Sequence, residues 1–285
     1  MSLPTLLRRR LMANLPKRGP RVAIALSGGV DSCSLLAACL RKGIDPVVIS
    51  YTPDTHMSTD YQYARANAEK HGLRWQGIAV DMSPRRLLER ARLVVGLGYR
   101  SKMQVESLVP MVAIAQEAAF FGCTVLLTGD QADGYYINGN WISRNYDRAR
   151  GIPGPERQHV RYDHDSTRID ALRRLYWDQD RGNCGAVQRI AAGFGVRAVM
   201  PYRDEKIAAL FSGLHWNEVN LPRLKEPEWL AFEELGTSIV VRDAPVNLHR
   251  GDSYFADNFG KAMMEMFPQY RTPLGVYGGL ARGEI

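Results

Sequence analysis

Acidic residues beside glycine turns are the side chains of this sequence best suited to do chemistry. Residues 27–32 read Ser-Gly-Gly-Val-Asp-Ser and directly follow a short apolar run. Residues 126–136 repeat the arrangement, since an apolar run ends at Gly129 and two acids, Asp130 and Asp133, follow it. An acid beside a phosphate repels it unless a cation lies between them. Both segments therefore predict Mg²⁺ held between carboxylates and a phosphorylated ligand.

The first glycine turn has the composition of a phosphate-binding loop. Gly28 and Gly29 leave no Cβ in the way of an anion, and the N–H groups of the turn and the following helix are free to bind it. Ser27 and Ser32 add hydroxyl donors, and Asp31 is suited to hold Mg²⁺. The segment has neither the GxxxxGK[ST] spacing nor the GxGxxG pattern, which argues against a Walker loop and a Rossmann loop. Taken alone, it could also be a simple glycine turn with an aspartate at the helix N-cap.

Strand and helix patterns alternate through the first half of the chain. Apolar runs predict strands at residues 21–26, 46–51, 75–80 and 124–128, and helical spacing predicts helices at residues 31–42, 60–71 and 105–121. This alternation predicts an α/β fold with a doubly wound parallel sheet. Because parallel strands end at one edge of a sheet, we expect Asp31, Asp130 and Asp133 to face the same crevice.

The second half is predicted to be mainly helical. Residues 136–163 are rich in Gly, Pro, Asn and Arg and are typical of a long functional loop or lid. Helical spacing predicts helices at residues 168–178, 186–194, 204–212 and 227–235. The tail beyond Gly251 has no clear pattern, so we leave residues 236–285 as an unassigned C-terminal extension.

The positive charge of the chain is concentrated at its N-terminus. The net charge is +7, and the first 21 residues contain six Lys and Arg residues and no acid. This basic arm (residues 1–20) could contact nucleic acid or an acidic partner, although a solvated helix is the favoured interpretation.

No apolar run reaches the roughly 18 residues of a membrane span and no secretion signal is present, so we expect a cytoplasmic protein. Four cysteines without a CxxC pair predict free core thiols.

Three separated segments resemble one known family. Residues 27–32 resemble the SGGxDS pyrophosphate loop of the N-type ATP pyrophosphatases, which cleave ATP between the α and β phosphates. Residues 126–136 resemble the SGEGxDExFxGY segment of the asparagine synthetases in that superfamily. Residues 180–204 resemble the family stretch DRxSMAxSxExRxPFLD and keep the relative spacing of Arg197, Pro201 and Asp204. The resemblance implies a sheet of the HUP (ATP-pyrophosphatase) type with a helical C-terminal portion, over residues 21–235.

By this resemblance the ligands are ATP and Mg²⁺. The residues expected to contact the nucleotide are Ser27, Gly28, Gly29, Asp31, Ser32, Ser50 and Gly129, with Asp31 and Asp133 on the metal. Asp130 stands where the family has a catalytic glutamate, and Lys206 and Lys225 match the lysines that meet pyrophosphate and the acyl-adenylate. The shorter acid at 130, together with Gln131 and Gly134, departs from the family pattern and leaves the substrate open.

The resemblance implies an ATP-dependent ligase of the asparagine synthetase type. Such an enzyme adenylates a small carboxylate, releases pyrophosphate and transfers ammonia or an amine. Ser2 stands where glutamine-hydrolysing members carry a cysteine, so we expect free ammonia, a separate glutaminase subunit or another amine as the nitrogen source. A tRNA- or nucleobase-modifying ATP pyrophosphatase and a non-catalytic nucleotide-binding module remain alternatives. Nucleic acid is a less favoured partner, and a membrane is not expected.

Overall fold

The computed structural model describes residues 1–17, 19–137, 166–242 and 255–285. The predicted loop or lid at residues 136–163 lies almost entirely outside these ranges. The first half of the chain forms α1 (Leu3–Asn14), β1 (Val22–Ala25), α2 (Val30–Arg41), β2 (Val47–Pro53), α3 (Thr59–Lys70), β3 (Trp75–Val80), α4 (Pro84–Gly96), α5 (Lys102–Phe120) and β4 (Val125–Leu127). The second half forms α6 (Asp133–Tyr136), α7 (Ser166–Asp178), α8 (Cys184–Gly193), β5 (Arg197–Val199), α9 (Glu205–Phe211), α10 (Trp216–Asn220), α11 (Glu226–Glu233), α12 (Phe255–Met266) and α13 (Pro273–Arg282).

The five strands form one parallel sheet in the order β3-β2-β1-β4-β5. The chain builds outward from β1 through β2 to β3, then crosses to the other side of β1 and adds β4 and β5. This confirms the predicted doubly wound α/β fold. In such a sheet, ligands bind outside the carboxyl ends of the strands where the order reverses, which here is between β1 and β4.

Helices cover both faces of the sheet because alternate residues of each strand point to opposite faces. In β1, Ala23 packs into a core with α4, α5 and α8, and Ile24 packs into a second core with α1, α2 and α11. The β1 positions are nearly continuously apolar, as expected for a strand buried on both faces. The residues that follow β1 and β4 therefore extend from strands that are packed on both faces.

The basic N-terminal arm contains a helix that packs into the core. Leu7, Leu11 and Leu15 are buried in the same core as α11. The Arg8 Nε lies 3.2 Å from a carboxylate oxygen of Glu234, just beyond α11. The division of the chain at residues 20 and 235 remains a prediction.

Two helices occupy the end of the unassigned extension. Side chains of α12 and α13, including Phe259 and Val276, join the core formed by α4 and α5. The Tyr277 hydroxyl donates a hydrogen bond of 2.7 Å to Glu106, a buried acid on α5.

Helix α4 and strand β5 were not predicted. The arginines of α4 interrupt the apolar pattern that its buried residues otherwise form, and β5 is only three residues long.

No helix within the described ranges is long and apolar enough to cross a lipid bilayer. The four cysteines are buried and free of disulfides.

Candidate active site

The glycine turn after β1 is held by its own serine hydroxyls. The Ser27 N–H donates to Ser32 Oγ (3.1 Å), and the two hydroxyl oxygens lie 3.0 Å apart. The Gly29 N–H donates to Ser27 Oγ (3.2 Å). Both serines that we expected to contact a nucleotide therefore also shape the turn. Helix α2 begins directly after it, and the first N–H groups of a helix have no intrahelical acceptor, so they are available to an anion.

Neighbouring atoms, and not a positive φ, restrict the side chain that fits at Gly28 and Gly129. A Cβ on Gly28 would lie 3.1 Å from Tyr63 Cβ. A Cβ on Gly129 would lie 3.1 Å from Asp31 Cβ and 3.3 Å from the backbone nitrogen of Ser32. The turn after β4 therefore packs directly against the start of α2, which brings the two acidic segments together.

Asp31 and Asp133 converge on one cation, the ammonium group of Lys225. The Lys225 Nζ lies 2.6 and 2.7 Å from the two carboxylate oxygens of Asp31 and 2.6 Å from Asp133 Oδ1. Asp31 lies in the first turn of α2, Asp133 begins α6, and Lys225 is the N-cap of α11. The structure thus brings together three predicted site residues from three elements.

Opposite charges stabilise one another in this cluster. Burial alone would lower the pKa of Lys225, but the carboxylates of Asp133 and Asp31 outweigh it, so its pKa lies above the ordinary value and the ammonium stays charged. Burial raises the pKa of Asp31; the Lys225 ammonium opposes this rise and the Asp133 carboxylate adds to it. Asp133 has 54% of its side chain exposed, so the cluster opens to solvent on the Asp133 side.

Asp130 lies beside this cluster but outside the ion pair. The Thr128 hydroxyl donates a hydrogen bond of 2.6 Å to Asp130 Oδ2. Burial raises the pKa of Asp130 to about 6, and the nearby acids Asp133 and Asp180 add to the rise while the Thr128 hydrogen bond opposes it. The carboxylate is therefore mostly ionised at neutral pH and can accept a proton.

Two residues of the site have left-handed backbone angles. Gln131 has φ 82° and Lys225 has φ 62°, which lie in a backbone region that residues other than glycine rarely adopt. Gln131 lies between the two acids of the second turn, and Lys225 supplies the ammonium. Unfavourable backbone conformations concentrate at functional sites, where the surrounding structure holds them in place.

A buried carboxyl group that we did not predict lies behind Asp31. Glu228 on α11 is 0% exposed, and the Tyr202 hydroxyl shares its single proton between a carboxylate oxygen of Glu228 and the Asp31 carbonyl oxygen. Burial raises the pKa of Glu228 well above its ordinary value, and the Asp31 carboxylate adds to the rise.

A second unpredicted pair contacts the glycine turn. The Gly28 N–H donates to Asp60 Oδ1 (3.0 Å), and the Arg242 side chain forms an ion pair with the same carboxylate. The Arg242 N–H donates to the Gly28 carbonyl oxygen (2.8 Å). The sequence signal for Asp60 was an acid in the first turn of a predicted helix, which is common and carries no functional meaning. Arg242 gave no signal.

The remaining predicted residues are more distant from the ion pair. Ser50 is buried in β2. Lys206 is exposed on α9, and no side-chain hydrogen bond joins it to the carboxylates within the described ranges. In the third family-like segment, Asp204 caps α9 by accepting the N–H groups of Lys206 (2.6 Å) and Ile207 (3.1 Å), and Arg197 is exposed on β5. The roles of all these residues remain predictions.

A doubly wound sheet with a glycine turn after β1 and acidic side chains after β4 defines a nucleotide-binding domain of the ATP-pyrophosphatase type. The chain belongs to the asparagine synthase family, because the family model described as asparagine synthase matches residues 6–166, more than half of the 285 residues. The match includes both acidic glycine turns, and Lys225 lies beyond it. Membership supports an ATP-using enzyme with adenylating, ligase-like activity.

A sequence comparison with curated proteins finds no match. Among solved structures, the chain is similar to the U34-tRNA thiolase NcsA from Methanococcus maripaludis, which contains a [4Fe-4S] cluster. The two are 12% identical, the alignment covers 99% of this chain and 78% of the thiolase, and the TM-score is 0.41.

Proposed function

We propose that the protein is an ATP-dependent ligase that adenylates a substrate carboxylate and then transfers ammonia or another amine to it. The observation that carries the proposal is the convergence of Asp31, Asp133 and Lys225 beside the glycine turn. This cluster lies where the strand order reverses, which is the usual nucleotide position in such sheets. The family match over both acidic turns supports the same chemistry.

In the first step, the substrate carboxylate attacks the α-phosphorus of ATP. The bond to the β-phosphate breaks, and pyrophosphate leaves with the bonding electrons. The N–H groups of Val30, Asp31 and Ser32 at the start of α2 would bind the pyrophosphate, because a helix N-terminus attracts phosphate. The N–H groups of Ser27, Gly28 and Gly29 already donate to Ser32, Asp60 and Ser27, so we do not assign them to the phosphate. Lys225 and Lys206 would stabilise the charge that develops on the leaving group.

In the second step, ammonia or an amine attacks the acyl carbon of the adenylate. AMP leaves, and the nitrogen loses a proton as the amide forms. Asp130 is suited to orient the amine and to accept this proton, because burial holds its pKa at about 6, close to neutral pH. The substrate carboxylate and the amine remain to be identified.

The residues of the site fit Mg²⁺ in ligand type. Asp31 and Asp133 both place carboxylate oxygens within 2.7 Å of a single cationic centre, so they can share an ion. Among the described residues, no group of three His, Cys, Asp or Glu side chains gathers to hold a metal by itself. This agrees with the usual Mg²⁺ site in nucleotide enzymes, where one or two carboxylates act together with phosphate oxygens and water. Bound Mg²⁺ would neutralise phosphate charge as pyrophosphate leaves.

The proposal is tested by ATP–pyrophosphate exchange with a panel of acidic metabolites, beginning with aspartate. We expect at least one carboxylate to support exchange in the wild-type protein, and Asp31→Ala to abolish it. Asp45→Ala is the matched control, because Asp45 is exposed before β2 and should exchange at the wild-type rate. Normal exchange in Asp31→Ala would refute the assignment, and release of ADP in place of AMP would refute the adenylation chemistry.

A further inference from the structure

The Lys225 ammonium lies at the point that the predicted metal ion would occupy. It contacts both carboxylates that we assign to the metal, at 2.6 to 2.7 Å. A Mg²⁺ ion binds carboxylate oxygens at about 2.0–2.1 Å, so the ion and the ammonium cannot both lie between Asp31 and Asp133. A metal ion that takes this point between the two carboxylates therefore displaces the Lys225 ammonium.

The backbone of Lys225 is held in its present position. The residue is 8% exposed and its φ of 62° is fixed at the N-cap of α11. Its N–H donates to Asn220 Oδ1 (3.3 Å), and the Asn220 side chain donates in turn to the Tyr136 carbonyl oxygen (2.8 Å). The ammonium lies 5.8 Å from the centre of the Tyr136 ring. With the backbone fixed, the ammonium can move only as far as its own side chain reaches, from the carboxylates to a ligand bound beside them.

The displaced ammonium needs an anionic partner of its own. With Mg²⁺ alone between the carboxylates, a divalent ion and a buried ammonium would stand next to each other and repel strongly. Free Mg²⁺ also loses its water reluctantly. ATP changes this balance, because its phosphates provide both further ligands for the metal and new acceptors for the ammonium.

We propose that Lys225 makes the Asp31–Asp133 site selective for a metal ion that arrives together with a nucleotide. The ammonium keeps the two carboxylates together and excludes a free divalent cation. When the metal and ATP enter together, the ammonium transfers from the carboxylates to the phosphates. This role rests on the proposed function and extends it, because one lysine acts both before and after the nucleotide binds.

The test measures metal binding directly, with Mn²⁺ as the probe and electron paramagnetic resonance as the readout. Free Mn²⁺ is titrated into the wild-type protein, Lys225→Met and Lys261→Met, with and without α,β-methylene-ATP. Lys261→Met removes the same charge from an exposed position on α12 and serves as the matched control. Circular dichroism confirms that each variant is folded.

The expected result has two parts. Wild type and Lys261→Met bind Mn²⁺ weakly alone and at least about tenfold more tightly with the nucleotide analogue. Lys225→Met binds free Mn²⁺ at least about tenfold more tightly than wild type, because two carboxylates are left without a cation. If Lys225→Met does not fold, Lys225→Gln replaces it, since its neutral amide can still donate a hydrogen bond to a carboxylate.

Two results would overturn the role of Lys225 while leaving the proposed function intact. One is tight binding of free Mn²⁺ by the wild-type protein. The other is an unchanged affinity for free Mn²⁺ in folded Lys225→Met or Lys225→Gln, with the nucleotide analogue still binding. If the wild-type protein binds neither Mn²⁺ nor the analogue under any condition, the proposed function fails as well.

Discussion

Asp130→Asn should make the protein more stable above pH 6 and leave its stability unchanged near pH 3. Burial raises the pKa of this carboxyl from 3.8 to about 6, so the folded protein holds the proton more tightly than the unfolded chain does. At low pH both states are protonated and no penalty exists. As the pH rises from about 4 to 6, the unfolded chain releases its proton first, and the folded state loses stability.

The magnitude follows from the shift in pKa. A shift of about two units at 1.36 kcal/mol per unit corresponds to about 3 kcal/mol. Asp130 is partly exposed, so solvent screening reduces the expected gain from Asp130→Asn to about 2 kcal/mol at pH 8. The asparagine oxygen can still accept the hydrogen bond from Thr128, so the substitution adds no unpaired donor.

The assay is urea unfolding of the wild-type protein and Asp130→Asn at pH 3, 5 and 8. The difference in unfolding free energy should grow from near zero to about 2 kcal/mol as the pH rises. Asp45→Asn, at an exposed position, should show no such trend. A difference that is independent of pH, or that destabilises the variant at pH 8, would refute the burial of an ionised carboxylate at this position.

Three further predictions test the packing around the site. Gly129→Ala should lower the free energy of unfolding in urea by about 1–3 kcal/mol, because the new Cβ would meet the start of α2. Gly96→Ala is the control: its Cβ would point into open space, so the substitution should be neutral or stabilising by roughly 0.5 kcal/mol. Leu11→Ala should cost about 2–5 kcal/mol in the same assay if α1 is part of the core; a cost under roughly 0.5 kcal/mol would instead fit a loosely attached arm. Tyr202→Phe should cost about 1–3 kcal/mol, because buried Glu228 loses the hydrogen bond from Tyr202; a neutral result would show that this hydrogen bond contributes nothing.

The sheet and the acidic turns were predictable because local sequence patterns determine them. Apolar runs that end at Gly28 and Gly129 indicate strands that run into tight turns, and parallel strands bring their carboxyl ends to one edge. The positions of Asp31 and Asp133 follow from these two rules. The order of the strands, which decides which turns are neighbours, was not predicted and is known only from the structure.

The surroundings of the site were not predictable, because they depend on contacts between distant segments. Lys225 is 194 residues from Asp31 in the chain, and its backbone angle has no signature in the sequence. The family resemblance named this lysine, but its ion pair with two acids was not foreseen. Arg242 reaches Asp60 across 182 residues, and Glu228 is an acid on the helix predicted at residues 227–235, with no sequence signal that it would be buried. Tertiary packing alone places these side chains together.

The most direct test of the account is a crystal structure with Mg²⁺ and α,β-methylene-ATP. We predict that the metal lies between Asp31 and Asp133, that the β and γ phosphates contact residues 27–32, and that the Lys225 ammonium has moved onto the phosphates. A nucleotide bound elsewhere on the protein, or a metal that contacts neither aspartate, would contradict the account.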